Sequence, residues 1–198
     1  MNKMRIIVSP DVKRKNRVPP GQTLTDDFPV LHYGTVPDID ITKWKFTING
    51  LVDKEKVLGY EEFKALPKIK VHADIHCVTG WSRLDTYWEG VSTRVLQDIV
   101  GVKPEAKFVL VYGAKGFTTN LSLKEFFSDD VLFAMKFNDK VISLDHGFPV
   151  RLVVPRLYFW KSAKWVTGVK FLKKEKLGFW ETHGYHAHGD PWKEERYS

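Results

Sequence analysis

Residues 145–155 read DHGFPVRLVVP, a polar turn that runs directly into an apolar strand. The Gly-Phe-Pro centre favours a turn, and the apolar run that follows favours a buried strand. His146 and Arg151 lie at the two ends of the turn. An imidazole and a guanidinium so placed suit a phosphate or another polar head group, although an ordinary surface turn has the same composition.

Similar short apolar segments lie on both sides of this turn. Strands are predicted where apolar residues alternate with polar ones or form a short run: 44–48, 71–77, 108–112, 131–137, 151–155 and 165–171. Short helices are predicted over 59–66, from Ser92 to Val100, and after a capping box formed by Ser122 and Glu125. Strands and helices do not alternate regularly, so the pattern predicts an α+β fold with mixed β-sheets and short helices.

The composition is that of a globular protein with one domain. The 198 residues are 43% hydrophobic and 28% charged, which is ordinary for this class. The single cysteine excludes an intramolecular disulfide. No apolar run is long enough for a membrane span or for the core of a signal peptide. The sequence therefore predicts a cytoplasmic protein without a transmembrane segment.

The net charge of +7 comes from two basic segments. Residues 1–20 carry +5 and residues 151–176 carry +7, so the rest of the chain is mildly acidic. Residues 1–27 are polar and basic and lack periodicity, which predicts an extended arm before a domain over 28–198. A nucleic-acid-binding protein is an alternative explanation of the charge. No recognised motif supports it, and no nucleic-acid partner is predicted.

Cys77 lies where a predicted strand gives way to a loop. A buried, inert cysteine is the common case, and a nucleophile or a thiolate metal ligand are the functional alternatives. The adjacent His76 is a poor base for it, because neighbouring residues on a strand point to opposite faces. A soft metal needs only one protein thiolate if a cofactor supplies the other ligands.

Two further segments carry polar groups at short spacing. In Lys161-Ser162-Ala163-Lys164-Trp165, small residues with accessible backbone N–H groups lie beside a lysine, which is typical of an anion cradle. A solvated basic loop is the alternative. Residues 178–192 contain three histidines within six residues. Such a cluster suits zinc only if further ligands are near, and its glycines and proline favour a loop.

Taken together and in this order, residues 28–198 resemble the molybdopterin-binding domain of the sulfite oxidase family. The turn over 145–151 is similar to the family's pterin-binding stretch, in which the histidine and the arginine contact the cofactor. Cys77 stands where the family has its molybdenum-ligating cysteine, and Tyr185 where a tyrosine lies beside the metal. Residues 190–196, DPWKEER, are similar to the end of small stand-alone bacterial members, among them the catalytic subunit of periplasmic methionine sulfoxide reductase.

The resemblance implies the family's fold and a molybdenum-molybdopterin cofactor, with tungsten as an alternative metal. It implies Cys77 as the metal ligand, and Cys77, Tyr185 and Arg83 as the catalytic residues. The residues that it implies in cofactor binding are His32, Tyr33, Cys77, His146, Arg151, Ser162, Ala163 and Lys164.

Two departures from the family's pattern concern the substrate. Leu31 stands where sulfite oxidases have an arginine, and Gly80-Trp81-Ser82-Arg83 retains one arginine of a richer stretch. Less positive charge argues against a dianionic substrate.

The resemblance therefore implies an oxidoreductase that transfers two electrons, with an oxygen atom, to or from a small sulfur- or nitrogen-oxide substrate. It also implies a separate electron-transfer partner, because no second redox centre is recognisable in the sequence. A non-catalytic pterin- or nucleotide-binding module is the alternative. Such a module would have no need of the Cys77 thiolate.

Overall fold

The computed structural model of the protein describes residues 6–198, which contain twelve strands. In chain order the strands are β1 (Ile6–Val8), β2 (Thr23–Leu24), β3 (Lys45–Gly50), β4 (Lys56–Gly59), β5 (Lys68–His76), β6 (Trp81–Ser92), β7 (Phe108–Gly113), β8 (Thr118–Ser122), β9 (Leu132–Phe137), β10 (Lys140–Val141), β11 (Arg151–Val153) and β12 (Val166–Leu172). Each strand predicted from the apolar pattern is present, with ends shifted by a few residues.

The described residues also contain four short α-helices: α1 (Tyr60–Lys64), α2 (Val95–Val100), α3 (Leu123–Phe126) and α4 (Phe179–Thr182). The Ser122 hydroxyl accepts a hydrogen bond from the Glu125 N–H and so caps α3, which is one half of the predicted capping box. The predicted start of α2 is wrong. Ser92 is the last residue of β6, where it pairs with Leu132, and the helix begins only at Val95.

The strands form two mixed sheets. The larger, seven-stranded sheet has the order β1-β5-β6-β9-β10, with β2 paired to β6 and β11 paired to β9. The smaller, five-stranded sheet has the order β4-β3-β12-β7-β8. The pairs β1–β5, β2–β6 and β3–β12 are parallel, and the others are antiparallel. This architecture confirms the predicted α+β class with mixed sheets.

Strand alternation divides the apolar side chains between two cores. Phe133 of β9 packs against Phe46 of β3 in a core shared by both sheets, with ring centroids 5.0 Å apart. Leu132 and Ala134, its neighbours along β9, join Trp88 in a second core on the opposite face of the larger sheet. Packed side chains therefore cover both faces of the larger sheet and fix the strands from which the loops of the site begin.

The described part of the basic arm is built into the larger sheet. β1 pairs with β5, and β2 pairs with the start of β6. Between them, the Arg17 guanidinium donates to both carboxylate oxygens of the fully buried Asp74 at 2.6 and 2.8 Å. The described part of the arm is therefore attached to the larger sheet by two strands, with a short 3₁₀ helix, Pro10–Lys13, between them. The first five residues of the predicted arm lie outside the described residues.

Candidate active site

A cavity of about 360 Å³ lies where segments that follow strands of both sheets meet. The segments that line it are the loop 28–35, the turn 77–81 between β5 and β6, the turn 114–117 after β7, the turn 146–151 before β11, the connection 159–165, and 179–185 with α4. It brings together nine of the ten predicted site residues: His32, Tyr33, Cys77, His146, Arg151, Ser162, Ala163, Lys164 and Tyr185.

Cys77 follows directly after β5 and lies in the cavity wall, with 8% of its surface exposed. Its N–H donates to the Trp81 carbonyl and its carbonyl accepts from the Gly80 N–H, both at 2.9 Å. Its Sγ accepts a hydrogen bond from the Thr79 hydroxyl at 3.1 Å. The tight turn between two paired strands therefore fixes the sulfur at the cavity.

Arg151, the first residue of β11, is a buried cation with 1% of its surface exposed. Its guanidinium donates to the carbonyls of His146 at 2.8 Å and Ser162 at 3.0 Å, and lies 4.3 Å from the Phe159 ring centroid. Burial lowers the pKa of Arg151 to about 9, and the electrostatic influence of the nearby Cys77 opposes this decrease. Arg151 has no carboxylate partner among the described residues. A buried cation without a counter-charge favours an anionic ligand.

His146, at the other end of the predicted turn, stacks on Phe28 with ring centroids 3.9 Å apart. Burial, reinforced by the charges of Arg151 and Lys164, lowers the pKa of His146 to about 4. The imidazole is therefore neutral at pH 7. Its buried Nδ1 makes no hydrogen bond within residues 6–198 and is free to bind a polar group of a ligand.

Lys164 joins the loop 28–35 to the turn before β11. Its Nζ donates to the carbonyls of Leu31 at 2.8 Å and Asp145 at 2.6 Å. Gly147 makes this approach possible: its φ is +116°, and a Cβ there would lie 2.9 Å from Arg151 Cβ and 3.2 Å from Lys164 Cα. Burial and the charge of Arg151 lower the pKa of Lys164 to about 7.

The low pKa of Lys164 predicts pH-dependent anion binding by the cofactor-free protein. Lys164 loses its proton as the pH rises through about 7, whereas His146 is already neutral there. As Lys164 loses its proton, the affinity for inorganic pyrophosphate is expected to fall by at least about tenfold. A loss of this size corresponds to one charge-assisted hydrogen bond. Calorimetric titration at a series of pH values measures it. Lys164→Met should bind weakly at every pH, and an unchanged pH profile in that variant would assign the effect to another group.

The predicted anion cradle differs from the structure in one respect. The Ser162 N–H donates to the Phe159 carbonyl at 3.1 Å, and the Ser162 hydroxyl accepts from the Val154 N–H at 3.0 Å. The N–H is thus used by the short 3₁₀ helix that ends there, and the hydroxyl by the backbone after β11. No hydrogen bond donated by the Ala163 N–H is found within residues 6–198, and Ala163 lines the cavity.

The remaining cavity residues come from the entry loop and from the segment after α4. His32 and Tyr33 are exposed at the rim, where the Tyr33 ring packs 5.0 Å from Phe179. Tyr185 is half-buried between Trp160 and Trp180, with centroids 5.1 and 5.0 Å away. Burial raises the pKa of Tyr185, so its hydroxyl keeps its proton at neutral pH and can donate a hydrogen bond.

Arg83 is the predicted site residue that the structure places outside the cavity. Its guanidinium lies 5.1 Å from the Phe137 ring centroid, in a neighbouring depression that shares only Phe28 and His146 with the cavity. Two residues along a strand move a side chain by about 7 Å. Trp81, at the start of β6, therefore lines the cavity, whereas the Arg83 side chain lies in the neighbouring depression.

The histidines of the C-terminal segment bind protein groups. His188 Nδ1 lies 2.7 Å from a Glu195 carboxylate oxygen, and His186 Nδ1 accepts from the backbone N–H groups of His188 and Gly189. No group of three or more His, Cys, Asp or Glu side chains within residues 6–198 could hold a metal ion. The zinc alternative therefore has no support in this part of the chain.

Several cavity residues were not identified from the sequence. Phe28 stacks on His146, and Lys115 brings a third cation after β7. A basic residue in a Gly-flanked turn at the end of a buried strand was a signal for Lys115. Phe28 gave no such signal, because an isolated aromatic residue in a loop has no distinguishing pattern. The cavity thus combines these residues with nine of those that the sequence singled out.

The lining matches a ring-bearing anion that carries a soft metal. Three cationic side chains, Lys115, Arg151 and Lys164, line the cavity, and no carboxylate does so among the described residues. Arg151 Nε and His146 Nδ1 are buried without partners in residues 6–198. The cations suit a phosphate, the aromatic rings suit a planar ring, and the thiol suits a soft metal. The residues therefore fit a metal-bearing pterin.

Comparisons with known proteins agree with this chemistry. The family model "Oxidoreductase molybdopterin binding domain" matches residues 33–180. YuiH of Bacillus subtilis, an uncharacterized oxidoreductase, is 48% identical over 186 residues, 93% of this chain and 94% of that protein. Sulfite oxidase of Arabidopsis thaliana is 24% identical over 82% of this chain, which spans 51% of the plant protein.

A solved structure shares the fold. The sulfane dehydrogenase SoxCD of Paracoccus pantotrophus superposes with a TM-score of 0.66 and 25% identity, over 72% of this chain and 41% of that one. Fold and site together thus define a molybdopterin-binding oxidoreductase. The chain belongs to the oxidoreductase molybdopterin-binding domain family, as a small member similar to sulfite oxidase. Among the helices of residues 6–198, none is long and apolar enough to cross a membrane.

Proposed function

We propose that this chain is a molybdenum-dependent enzyme that transfers two electrons, with an oxygen atom, to or from a small sulfur- or nitrogen-oxide substrate. The observation that carries the proposal is the position of Cys77. The only thiol of the sequence lines a cavity that also contains Arg151 and Lys164. A site that only binds a pterin has no need of a sulfur ligand.

In this proposal, molybdenum held by the pterin dithiolene supplies the redox chemistry when bound. The Cys77 thiolate is the protein's ligand to the metal. Arg151 and His146 bind the pterin and its phosphate through the unpartnered Arg151 Nε and His146 Nδ1, and Lys164 does so through its ammonium group, which also donates to the Leu31 and Asp145 carbonyls. The protonated Tyr185 hydroxyl donates a hydrogen bond to the oxygen of the substrate.

The positive charges in and near the cavity indicate the class of substrate. In this proposal the cations of the cavity bind the phosphate of the cofactor, and Arg83 lies outside the cavity, so little positive charge is left for the substrate. A neutral oxide is therefore favoured over a dianion. Sulfite oxidase and sulfane dehydrogenase are both named for sulfur compounds, which supports a sulfur substrate. We further propose a cytoplasmic location and a separate electron-transfer protein as the redox partner.

The experiment that tests the proposal is expression in a host that makes molybdopterin. Molybdenum and tungsten are measured by elemental analysis, and oxidised pterin by its fluorescence, on one sample. Near-stoichiometric metal and pterin, followed by turnover of a sulfoxide or an N-oxide with an artificial electron donor, is the expected result. Pterin without metal would indicate a binding module. A folded sample with neither, from a host that loads a control molybdoenzyme, would refute the proposal.

Lys164→Glu is expected to weaken cofactor retention. The substitution places a carboxylate beside the proposed phosphate position, where like charges repel, and it removes the bonds to Leu31 and Asp145. Bound pterin is expected to fall by at least about tenfold after gel filtration. Lys115→Glu, at the exposed side of the cavity, is the matched control and should lose less. Equal amounts of bound pterin in Lys164→Glu and wild type would indicate that the phosphate binds elsewhere.

A further inference from the structure

The C-terminal tail, residues 190–198, contributes no side chain to the cavity wall, yet it folds against both sides of Cys77. It begins with a 3₁₀ helix, Pro191–Lys193, which the Asp190 carboxylate caps by accepting from the Trp192 N–H at 2.9 Å. Glu194 then turns the chain with a φ of +53°. This turn directs Arg196 back toward the larger sheet.

Trp192 contacts the residue that precedes Cys77. Its ring lies edge-on to the His76 imidazole, with centroids 6.0 Å apart. His76 is fully buried, so the indole closes this side of β5. The Arg14 guanidinium stacks 4.1 Å from the same indole ring. The tail is thus held between β5 and the N-terminal arm.

Arg196 contacts the residue that follows Cys77. Its guanidinium donates to the Val78 carbonyl at 2.7 Å, and to the carbonyls of Gly21 at 3.3 Å and Pro20 at 3.4 Å. It also lies 5.0 Å from the Tyr158 ring centroid. One charged group therefore ties the turn 77–80 to the arm, through charge-assisted hydrogen bonds that are shorter on the side of the turn.

The arm has a residue that fits this contact. Gly21 has a φ of +66°, and a Cβ at this position would lie 2.9 Å from Arg196 Nη2. A side chain there would strain the backbone and displace the guanidinium. The absence of a side chain at Gly21 therefore leaves room for the Arg196 guanidinium.

The tail also borders Tyr185. The Arg196 carbonyl accepts from the His186 N–H at 3.1 Å, and the Ser198 N–H donates to the Gly184 carbonyl at 3.1 Å. The rings of Tyr185 and Tyr197 lie 5.4 Å apart. One segment of nine residues therefore contacts the backbone on both sides of Tyr185 as well as the neighbours of Cys77.

We infer that Arg196 is a positioning residue, which holds the turn 77–80 so that Cys77 faces the cavity. The inference rests on the proposed role of Cys77 as a metal ligand. A ligand that is held in place before binding loses little conformational freedom on binding. Loss of Arg196 is therefore expected to weaken retention of the metal more than retention of the pterin, because Arg151 and Lys164 make their hydrogen bonds elsewhere.

The test compares the full-length wild type with Arg196→Gln, Arg196→Lys and the control Arg94→Gln. Arg94 pairs with Asp129 at 2.6 Å on an exposed surface, so its loss removes an equal charge far from the turn. Hydrogen exchange of the Cys77 and Gly80 amides reports on opening of the turn. The molybdenum-to-pterin ratio reports on the ligand.

In Arg196→Gln the two amides are expected to exchange about tenfold faster, with the molybdenum-to-pterin ratio at most about half that of wild type. Arg196→Lys keeps the charge but not the fork that reaches three carbonyls, so a smaller change of the same kind is expected. This variant keeps the inference testable if Arg196→Gln does not fold. Arg94→Gln should match wild type.

Wild-type exchange and a wild-type ratio in both Arg196 variants would overturn the inference. An equal loss of metal and pterin, or faster exchange in Arg94→Gln as well, would also overturn it, since both outcomes indicate general destabilisation. Failure of the proposed function gives a different result. If Cys77→Ala keeps its molybdenum, Cys77 is not the ligand, whereas amide exchange in Arg196→Gln still decides whether Arg196 holds the turn.

Discussion

Cys77→Ala is expected to lower turnover by at least about 100-fold and to remove most of the molybdenum, while the fold is retained. Loss of a group that only supports a metal ligand costs roughly 10- to 100-fold, and loss of the ligand itself costs more. The sulfur accepts one hydrogen bond, from Thr79, and alanine keeps an apolar side chain at this position of the second core. Elemental analysis, turnover and thermal unfolding on the same preparation measure these effects.

Thr79→Val is the matched control for this variant. It removes the hydroxyl that donates to Sγ at 3.1 Å but keeps the sulfur, so it should keep most of its molybdenum and lose about tenfold in turnover, less than Cys77→Ala. Both variants should keep the wild-type circular dichroism spectrum, and each is expected to lose only about 1 kcal/mol of stability. Wild-type metal content and turnover in Cys77→Ala would remove the thiolate from the mechanism.

The strands that could be predicted from sequence are those whose side chains face a core. Phe46 and Ile48 alternate with polar residues because β3 has one buried face, and period-two patterns identify such strands. β1 and β2 have two or three residues each, too few for a period. Their pairing depends on the backbone of β5 and β6, so the arm could be recognised as extended but not as part of the sheet.

The site could be predicted where short segments carry several functional groups together. The turn 145–151 brings His146 and Arg151 into one cavity because both belong to one rigid turn. Arg83 shows the limit of this reasoning, because spacing along β6 does not tell which depression a side chain enters. Nor could the sequence show that the Ser162 N–H is used by its own 3₁₀ helix.

Lys161 illustrates a charge whose partner lies far away in sequence. Within the basic segment 151–176 it reads as one of several solvated lysines. In the structure it is fully buried, and its Nζ donates to the Glu181 carboxylate at 2.6 Å. It also donates to Asn120 Oδ1 at 3.1 Å and to the Ala187 carbonyl at 2.8 Å. Part of the positive charge is thus neutralised internally by α4.

This pair joins two elements that carry cavity residues. Glu181 lies on α4, four residues before Tyr185, and its Oε1 also accepts from the Trp160 indole N–H at 3.1 Å. Lys161 ends the 3₁₀ helix that leads into Lys164. The ion pair therefore holds the wall that contains Tyr185 against the wall that contains Lys164.

Lys161→Met is expected to destabilise the protein by about 3–5 kcal/mol, because it leaves the Glu181 carboxylate buried without its counter-charge. For a chain of this length such a loss corresponds to a decrease of about 10 °C in Tm. Cofactor-free protein should be used for thermal or urea unfolding, so that bound ligand does not mask the effect.

The double variant Lys161→Met/Glu181→Gln separates the charge effect from simple packing. It removes both charges but keeps a carbonyl acceptor for the Trp160 N–H, so it should regain much of the stability lost in Lys161→Met. A single variant that melts within about 2 °C of wild type would contradict a buried, energetically coupled pair. If the double variant instead melts at a lower temperature than the single variant, Lys161 stabilises the protein through its contacts with Asn120 and Ala187. The unpaired charge of Glu181 is then not the cause of the destabilisation in Lys161→Met.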